Sequence, residues 1–408
     1  MTVVYLSSCC SDAKFEELRK KRITQKLPQA QKYHRLMMEG MASQPDVNLF
    51  SISALPINSE WTKKIVFHKE EETVNGVSYI YNTFLNLPIL RQATRKIAAF
   101  REIKKIYKNN KDLVIVCDIL NQSIAMAGRK AGKKYKLPVI GIVTDVPGYT
   151  SGARRNSISF YKRKIKEYAE KCAKNTLGKY DAYLFLTQEM NNVINKSDKP
   201  YIVLEGHCDS KMQSVDNSIK NKAHPKVIMY AGGIHKEFGI KRMVEAFCET
   251  KQNDWELHIY GDGNYQHELK ELAIINPKVR YFGVQPNDLI VRKQLEATLL
   301  INPRLTDADY VKYSFPSKTM ECMASGTPLL TTKLPGMPME YYKYVYFIND
   351  ESREGMKKTL ESVFDKSEME MHEFGNNAKR FILNNKTNVI QSKKFIEFIK
   401  EIENGKKS

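Results

Sequence analysis

Val227-Ile228-Met229-Tyr230-Ala231-Gly232-Gly233 reads as a short apolar strand that runs into a glycine pair, and Gly239 to Phe247 (GIKRMVEAF) behind it reads as a helix. Glycines at a strand-to-helix turn let backbone approach a phosphate closely, and the free N–H groups of a helix start favour an anion. One such turn is weak evidence by itself. The chain repeats it, with a second strand ending in Tyr260-Gly261-Asp262-Gly263 and a third in Tyr281-Phe282-Gly283. Three strands that each end in glycine predict a ligand crevice along the carboxyl edge of a parallel sheet.

Further along, Tyr313 to Pro328 reads YSFPSKTMECMASGTP. Pro316 suits a first helical turn, and Ser317 and Lys318 after it offer backbone N–H groups, a hydroxyl and an ammonium to a diphosphate. Glu321 follows Lys318 by three residues, one turn along the same helix, where its carboxylate can accept from the two hydroxyls of a ribose. That spacing fits a nucleoside diphosphate. Taken alone, the same triplet also suits a capped surface helix with a solvated Lys and Glu.

Outward from these motifs, short β-branched runs alternate with helical stretches along the whole chain: Val3 to Leu6, Leu49 to Ile52, Leu113 to Cys117, Val139 to Thr144 and Tyr183 to Leu186, then Val227 to Ala231, Leu257 to Tyr260, Val279 to Phe282, Thr298 to Ile301 and Leu329 to Thr331. Alternation of this kind implies parallel sheets covered on both faces. The polar stretch 206–225 lacks apolar periodicity and reads as a linker. The expected architecture is α/β, with two Rossmann-like doubly wound domains and a cleft between them. The expected boundaries are 1–205, the linker 206–225, a second domain at 226–385, and a C-terminal helix at 386–408 whose apolar face packs on a core, that of the N-terminal domain being one option.

The order YAGG, YGDG, YFG and FPSKTMECMASGTP resembles the donor-binding domain of retaining glycosyltransferases of family 4, in particular members that build bacterial surface polysaccharides. The resemblance covers most of Val227 to Thr332 clearly. It implies the GT-B fold, two facing Rossmann-like domains, and transfer of a sugar from a nucleotide-sugar to a glycan or lipid-linked acceptor with retained anomeric configuration and no bound metal. It assigns donor binding to Gly232, Gly233, Gly261, Gly283, Val284, Ser317, Lys318 and Glu321, with Glu321 matching the second glutamate of the family's E-x7-E motif. Two departures stand out. The first glutamate is replaced by Tyr313, and the basic pair often found in GR…KG is replaced by Gly233 and Phe238. Lys318 therefore leads as the cation for the departing diphosphate, joined by Arg304 of Asn302-Pro303-Arg304.

In the first half, Asp145 ends the strand Val139 to Thr144 close to where many relatives carry a histidine, which places it toward the donor sugar or acceptor; before Val146-Pro147-Gly148 it also suits an ordinary turn. Ser8 and Cys9 of SSCCS and His34 of KYHR fall where the family's acceptor side often lies, and His34 equally suits a plain surface histidine. No motif for a covalent nucleophile or paired carboxylates is present, which fits a reaction dominated by positioning and stabilisation of the leaving group.

Composition narrows the alternatives. The 408 residues carry 65 Lys and Arg against 46 Asp and Glu, a formal charge of +19, with 42% hydrophobic content, which excludes a disordered chain. Residues 1–205 hold 35 of the cations and 19 of the acids, so nearly all the excess lies in the first half. Arg154 to Lys179 is especially basic, with Ile158, Tyr161, Ile165, Tyr168 and Cys172 at helical spacing. Such a helix lies on an anionic membrane or packs its stripe on its own sheet. Seven cysteines without ligand spacing suggest free thiols and neither a disulfide framework nor a metal site. The start of the chain lacks a basic region and a long apolar run, so a cytoplasmic protein peripheral to the inner membrane face is expected. A nucleic-acid-binding protein would explain the charge but leave the glycine-ended strands without purpose. A GT-B nucleotide-sugar 2-epimerase is the nearer rival.

Overall fold

The computed structural model describes residues 1–20, 31–57, 61–146, 176–315 and 317–407. These divide into two compact units, Met1–His207 with Asn388–Ser408 and Cys208–Thr387. The basic run Arg154 to Lys174, Pro147, Gly148 and Pro316, singled out in the sequence, lies outside the described residues.

The first unit contains β1 (Thr2–Ser7), β2 (Asn48–Ser53), β3 (Val66–Phe67), β4 (Glu70–Val74), β5 (Val77–Tyr81), β6 (Phe84–Leu85), β7 (Leu113–Asp118), β8 (Val139–Val143), β9 (Ala182–Phe185) and β10 (Tyr201–Val203). Its main sheet has the order β10-β9-β8-β7-β1-β2-β5-β4, parallel throughout except for β4, which runs antiparallel to β5 at the edge. β3 and β6 form a separate short ribbon. Every residue of β1 and β7 is buried, as expected where helices cover both faces. Tyr5 meets His34 of helix Gln31–Ala42, whereas Leu6 meets Gly128 of helix Gln122–Tyr135, and successive strand residues point to opposite faces. The helices therefore flank the sheet on both sides.

Helix Asn388–Lys407 completes this unit. It is seated on helix Gln31–Ala42 by polar contacts as well as apolar ones: Asn388 Nδ2 donates to Leu36 O at 3.2 Å and Ser392 Oγ to Met37 O at 2.9 Å. Phe395, Ile396, Phe398 and Ile399 are buried behind them.

The second unit carries β11 (Lys226–Ala231), β12 (Trp255–Tyr260), β13 (Val279–Tyr281), β14 (Leu299–Asn302), β15 (Leu329–Thr332) and β16 (Tyr346–Ile348), in the order β13-β12-β11-β14-β15-β16. All adjacent strands pair parallel. This is the doubly wound order in which direction reverses between the first and fourth strands, here between β11 and β14. Along β11 the side chains alternate between two cores. Ile228 and Tyr230 join a cluster in which Trp255 stacks on Phe364 with centroids 4.1 Å apart. Val227 and Met229 join the opposite cluster with Phe315, Met320, Met323 and Tyr341.

From Cys208 onward the polar stretch read as a linker is built into the second unit as two short 3-10 turns, Ser210–Ser214 and Ile219–Asn221. Lys222 is the anchor. Its buried ammonium has four acceptors for its three N–H groups, Leu295 O at 2.8 Å, Ala297 O at 2.9 Å, Asn217 Oδ1 at 2.9 Å and Thr327 Oγ1 at 3.0 Å. Two of those acceptors close helix Asn287–Glu296, whose C-terminal carbonyls favour a cation.

Candidate active site

The carboxyl edge of the second sheet is laced by main-chain hydrogen bonds between its glycine-ended turns. Gly232 N donates to Tyr260 O at 2.9 Å, Ile234 N to Asp262 O at 2.7 Å, and Gly261 N to Gly283 O at 2.8 Å. Gly261 has φ +128, and a β-carbon there would sit 1.8 Å from the Gly232 carbonyl oxygen, so only glycine fits. Gly283 has φ +67 and open space on its β-carbon side, with Val284 exposed next to it. Phe282 stacks on Tyr260 at 4.7 Å and keeps 39% of its surface exposed, which presents an apolar ring beside the Gly283 turn.

Tyr230 ties β11 to its own turn by donating its hydroxyl to Gly233 O at 2.9 Å. Burial raises this phenol's pKa well above its usual value, with Arg304 pulling in the opposite direction. The Arg304 guanidinium lies between two rings, 4.7 Å from the centroid of Phe238 and 5.2 Å from that of Tyr310. Among the described residues its Nε is buried without a hydrogen-bond partner. The loop after β14 is held by Glu351, which accepts from Thr306 N at 3.0 Å and Thr306 Oγ1 at 2.7 Å.

Helix Ser317–Ser325 begins at this edge. Ser317 and Lys318 are exposed, while Thr319, Met320, Cys322 and Met323 are buried, so packing fixes the helix and leaves its first residues in solvent. A β-carbon on Gly232 would come within 2.6 Å of Tyr230 Oη and 3.3 Å of Lys318 Cε, which places the lysine stem against the glycine turn. Among the described residues Lys318 has no ion-pair partner. Glu321 is half-buried one turn along. The Cys322 thiol between them is pushed up to about 12, by burial first, with Lys318 lowering it and Glu321 raising it. Tyr313 is buried in the 3-10 turn Asp309–Tyr313, its ring 5.3 Å from the Lys312 ammonium.

The structure thus gathers Gly232, Gly233, Arg304, Ser317, Lys318 and Glu321 around the reversal between β11 and β14, and places Gly261, Gly283 and Val284 along the same edge toward β13.

In the first unit the sequence candidates are further from solvent. Cys9 is fully buried, its thiol 3.5 Å from Gln31 O, and burial raises its pKa well above its usual value. Ser8 is half-buried, its carbonyl accepting from Gln31 Nε2 at 3.1 Å. Asp145 is half-buried directly after β8. His34 is no surface histidine: it is 2% exposed, with Nδ1 2.7 Å from Tyr5 Oη and Nε2 3.5 Å from Asp118 Oδ2. Among the described residues Nε2 is buried without a hydrogen-bond partner, so its 3.5 Å approach to Asp118 is an electrostatic contact, whereas Nδ1 and the Tyr5 hydroxyl share a hydrogen bond. Burial lowers the His34 pKa, with Asp118 opposing, and keeps the ring neutral near pH 7.

Among the described residues no three His, Cys, Asp or Glu side chains cluster as a metal site, and no helix is long and apolar enough to cross a membrane.

Residues 212–381 match the sequence family Glycosyl transferases group 1. Solved structures match nearly the whole chain at low identity. The sucrose-phosphate synthase of Thermosynechococcus elongatus shares 11% identity, with 99% of this chain and 100% of that one covered and a TM-score of 0.67. The lipopolysaccharide outer core galactosyltransferase WaaB, in its apo form, shares 14% over 98% and 99% of the two chains, TM-score 0.61. Anabaena HepE in complex with UDP and glucose shares 11% over 98% and 100%, TM-score 0.61.

The fold is GT-B.

No curated protein matches the chain in sequence. Within this GT-B chain the motif reading missed Tyr230, Glu351 and Asp118, which position groups at the two sheet edges. Tyr230 was visible as the last large residue before Gly232-Gly233, whereas Glu351 and Asp118 are brought in from distant segments by the topology alone.

Proposed function

We propose that the chain is a retaining glycosyltransferase that moves a sugar from a nucleotide-sugar donor, held by the second unit, to a glycan or lipid-linked acceptor engaged by the first. The observation that carries this reading is the exposed Lys318 at the start of a buried helix, its stem against Gly232 at the sheet reversal, with Glu321 one turn on. Helix N–H groups and an ammonium suit the diphosphate, and the carboxylate suits the ribose hydroxyls. The match of residues 212–381 to Glycosyl transferases group 1 supports the same assignment.

In the proposed reaction the bond from the anomeric carbon to the diphosphate oxygen breaks as the acceptor oxygen bonds the same face. The acceptor proton passes to a phosphate oxygen of the leaving group. Lys318 and the first N–H groups of helix Ser317–Ser325 stabilise the developing negative charge, and no metal takes part. Arg304 supplies a second cation, and Asp145, Ser8, Cys9 and His34 belong to the acceptor side, the last two as supports because they are buried. The charge excess of residues 1–205 supports an acceptor carried on the inner face of the cell membrane, within surface-polysaccharide synthesis.

Labelled UDP- and GDP-sugars incubated with the protein, with and without membrane lipid extract, test this. Label in the lipid phase with retained anomeric configuration, undiminished by EDTA, is expected. A free epimer formed without lipid would show a 2-epimerase instead, and an unconsumed donor would end the enzymatic reading.

A further inference from the structure

We propose that the adjacent helices Pro88–Asn109 and Gln122–Tyr135 of the first unit form a docking face for an anionic phospholipid bilayer. The assignment of the lipid as the carrier of the acceptor rests on the function proposed above; the docking face itself does not.

The first helix carries an exposed stripe. Leu87, which precedes it, and Leu90 and Ile97 within it are 38%, 47% and 50% exposed and recur at three- and seven-residue spacing. Ile65, 51% exposed, stands beside them, because its carbonyl accepts from Asn86 N at 2.7 Å. Toward the C-terminus the same stripe continues as Arg101, Lys104 and Lys108, all exposed.

Among the described residues the exposed stripe itself carries no acid, and Glu71 nearby is paired with Lys69. The only carboxylate of the helix, Glu102, is buried and already held by Lys69 at 2.9 Å and Lys105 at 2.8 Å. Helix Gln122–Tyr135 has no acid at all, and its Lys130 and Lys134 ammoniums lie 5.0 and 5.9 Å from the Phe100 ring of the first helix, so they border the same surface. Tyr107 and Tyr135 stack across the pair at 4.4 Å, which fixes the two helices side by side.

Four large apolar side chains grouped in water are unfavourable, and a row of cations beside them repels itself. A bilayer interface resolves both: the apolar groups enter the acyl boundary while the cations meet anionic headgroups. A nucleic acid backbone would satisfy the cations and leave the apolar stripe in water. That difference favours the bilayer.

The test is co-sedimentation of the full chain with vesicles of phosphatidylcholine alone or mixed with phosphatidylglycerol. Two variants accompany it, Arg101→Glu/Lys104→Glu/Lys108→Glu and Leu90→Ser/Ile97→Ser, both confined to exposed positions and checked by circular dichroism. The parent is expected to bind only the anionic vesicles and to leave them at high salt. Losing three surface cations should weaken binding by at least about a hundredfold, and losing the apolar pair should weaken it while keeping the salt release. Binding of the charge variant equal to that of the parent overturns the proposal. So does preference for a single-stranded oligonucleotide over the vesicles, or loss of the apolar exposure through self-association seen by ultracentrifugation. UDP binding is measured on the same samples: its absence from every protein would count against the donor reading and leave the docking result standing.

Discussion

The carbonyl oxygen of Gly232 occupies the space where a β-carbon on Gly261 would lie, 1.8 Å away. Two glycine-ended strands therefore close against each other through bare backbone, and the edge they form is the one that Lys318 faces. Replacing Gly261 with Ala forces this contact apart at a residue whose φ of +128 is itself unfavourable to any side chain. A loss of about 1–3 kcal/mol in stability is expected, together with weaker UDP binding. Urea unfolding and a UDP titration on the same variant check both.

Lys318 is exposed, so its removal should leave folding alone. Lys318→Ala is expected to lower kcat by about a hundred- to a thousandfold, the scale for losing one group that stabilises developing charge, with an unchanged melting temperature. Turnover equal to that of the parent would remove Lys318 from the mechanism.

Glu321 is assigned to the donor's ribose and not to the reacting bond. Glu321→Gln keeps the size and one acceptor but removes the charge, and a charged hydrogen bond contributes about 1.5–3 kcal/mol. The expected result is a KM for the nucleotide-sugar raised by roughly ten- to a hundredfold with kcat little changed. A fall in kcat at constant KM would assign it to the chemistry.

Lys222 gives the second unit a pH dependence. Burial lowers its ammonium to about 7, below its value in the unfolded chain, and its hydrogen-bond partners are neutral. Between that value and the unfolded one, the unfolded chain binds more protons, so stability rises with pH above about 7 and the penalty is fully present below it. The slope approaches about 1.4 kcal/mol per pH unit at most, reduced by the extent to which the four acceptors retain the proton. Denaturant midpoints at pH 7, 8 and 9 should climb relative to those of Lys222→Met, and parallel curves for the two proteins would contradict this.

What was legible in the sequence follows from what is local. Each β-branched run read as a strand is one, most plainly β1, β7, β8 and β9, which are buried along their whole length. The hairpin of β4 and β5 was overlooked although Asn75-Gly76, with φ of 50 and 77, is the turn that such hairpins favour. Its first strand, Glu-Glu-Glu-Thr-Val, is solvent-facing and too polar to stand out. Lys222 falls in the polar stretch 206–225 that reads as a linker, and composition does not reveal that carbonyls from residues 295 and 297 surround it. His34 and Asp118 are separated widely in sequence, and only the strand order brings them together. The helix start at Ser317 was readable because a helical turn is set by local sequence.

The central claim, that the edge beside Lys318 binds a nucleoside diphosphate, is tested most directly by calorimetric titration of UDP, GDP and ADP into the parent protein and Lys318→Ala. One nucleotide is expected to bind the parent with one site per chain, and the variant is expected to bind it at least tenfold more weakly, as loss of one charged contact implies. Equal affinity in the two proteins, or no binding of any diphosphate to the parent, would contradict the account.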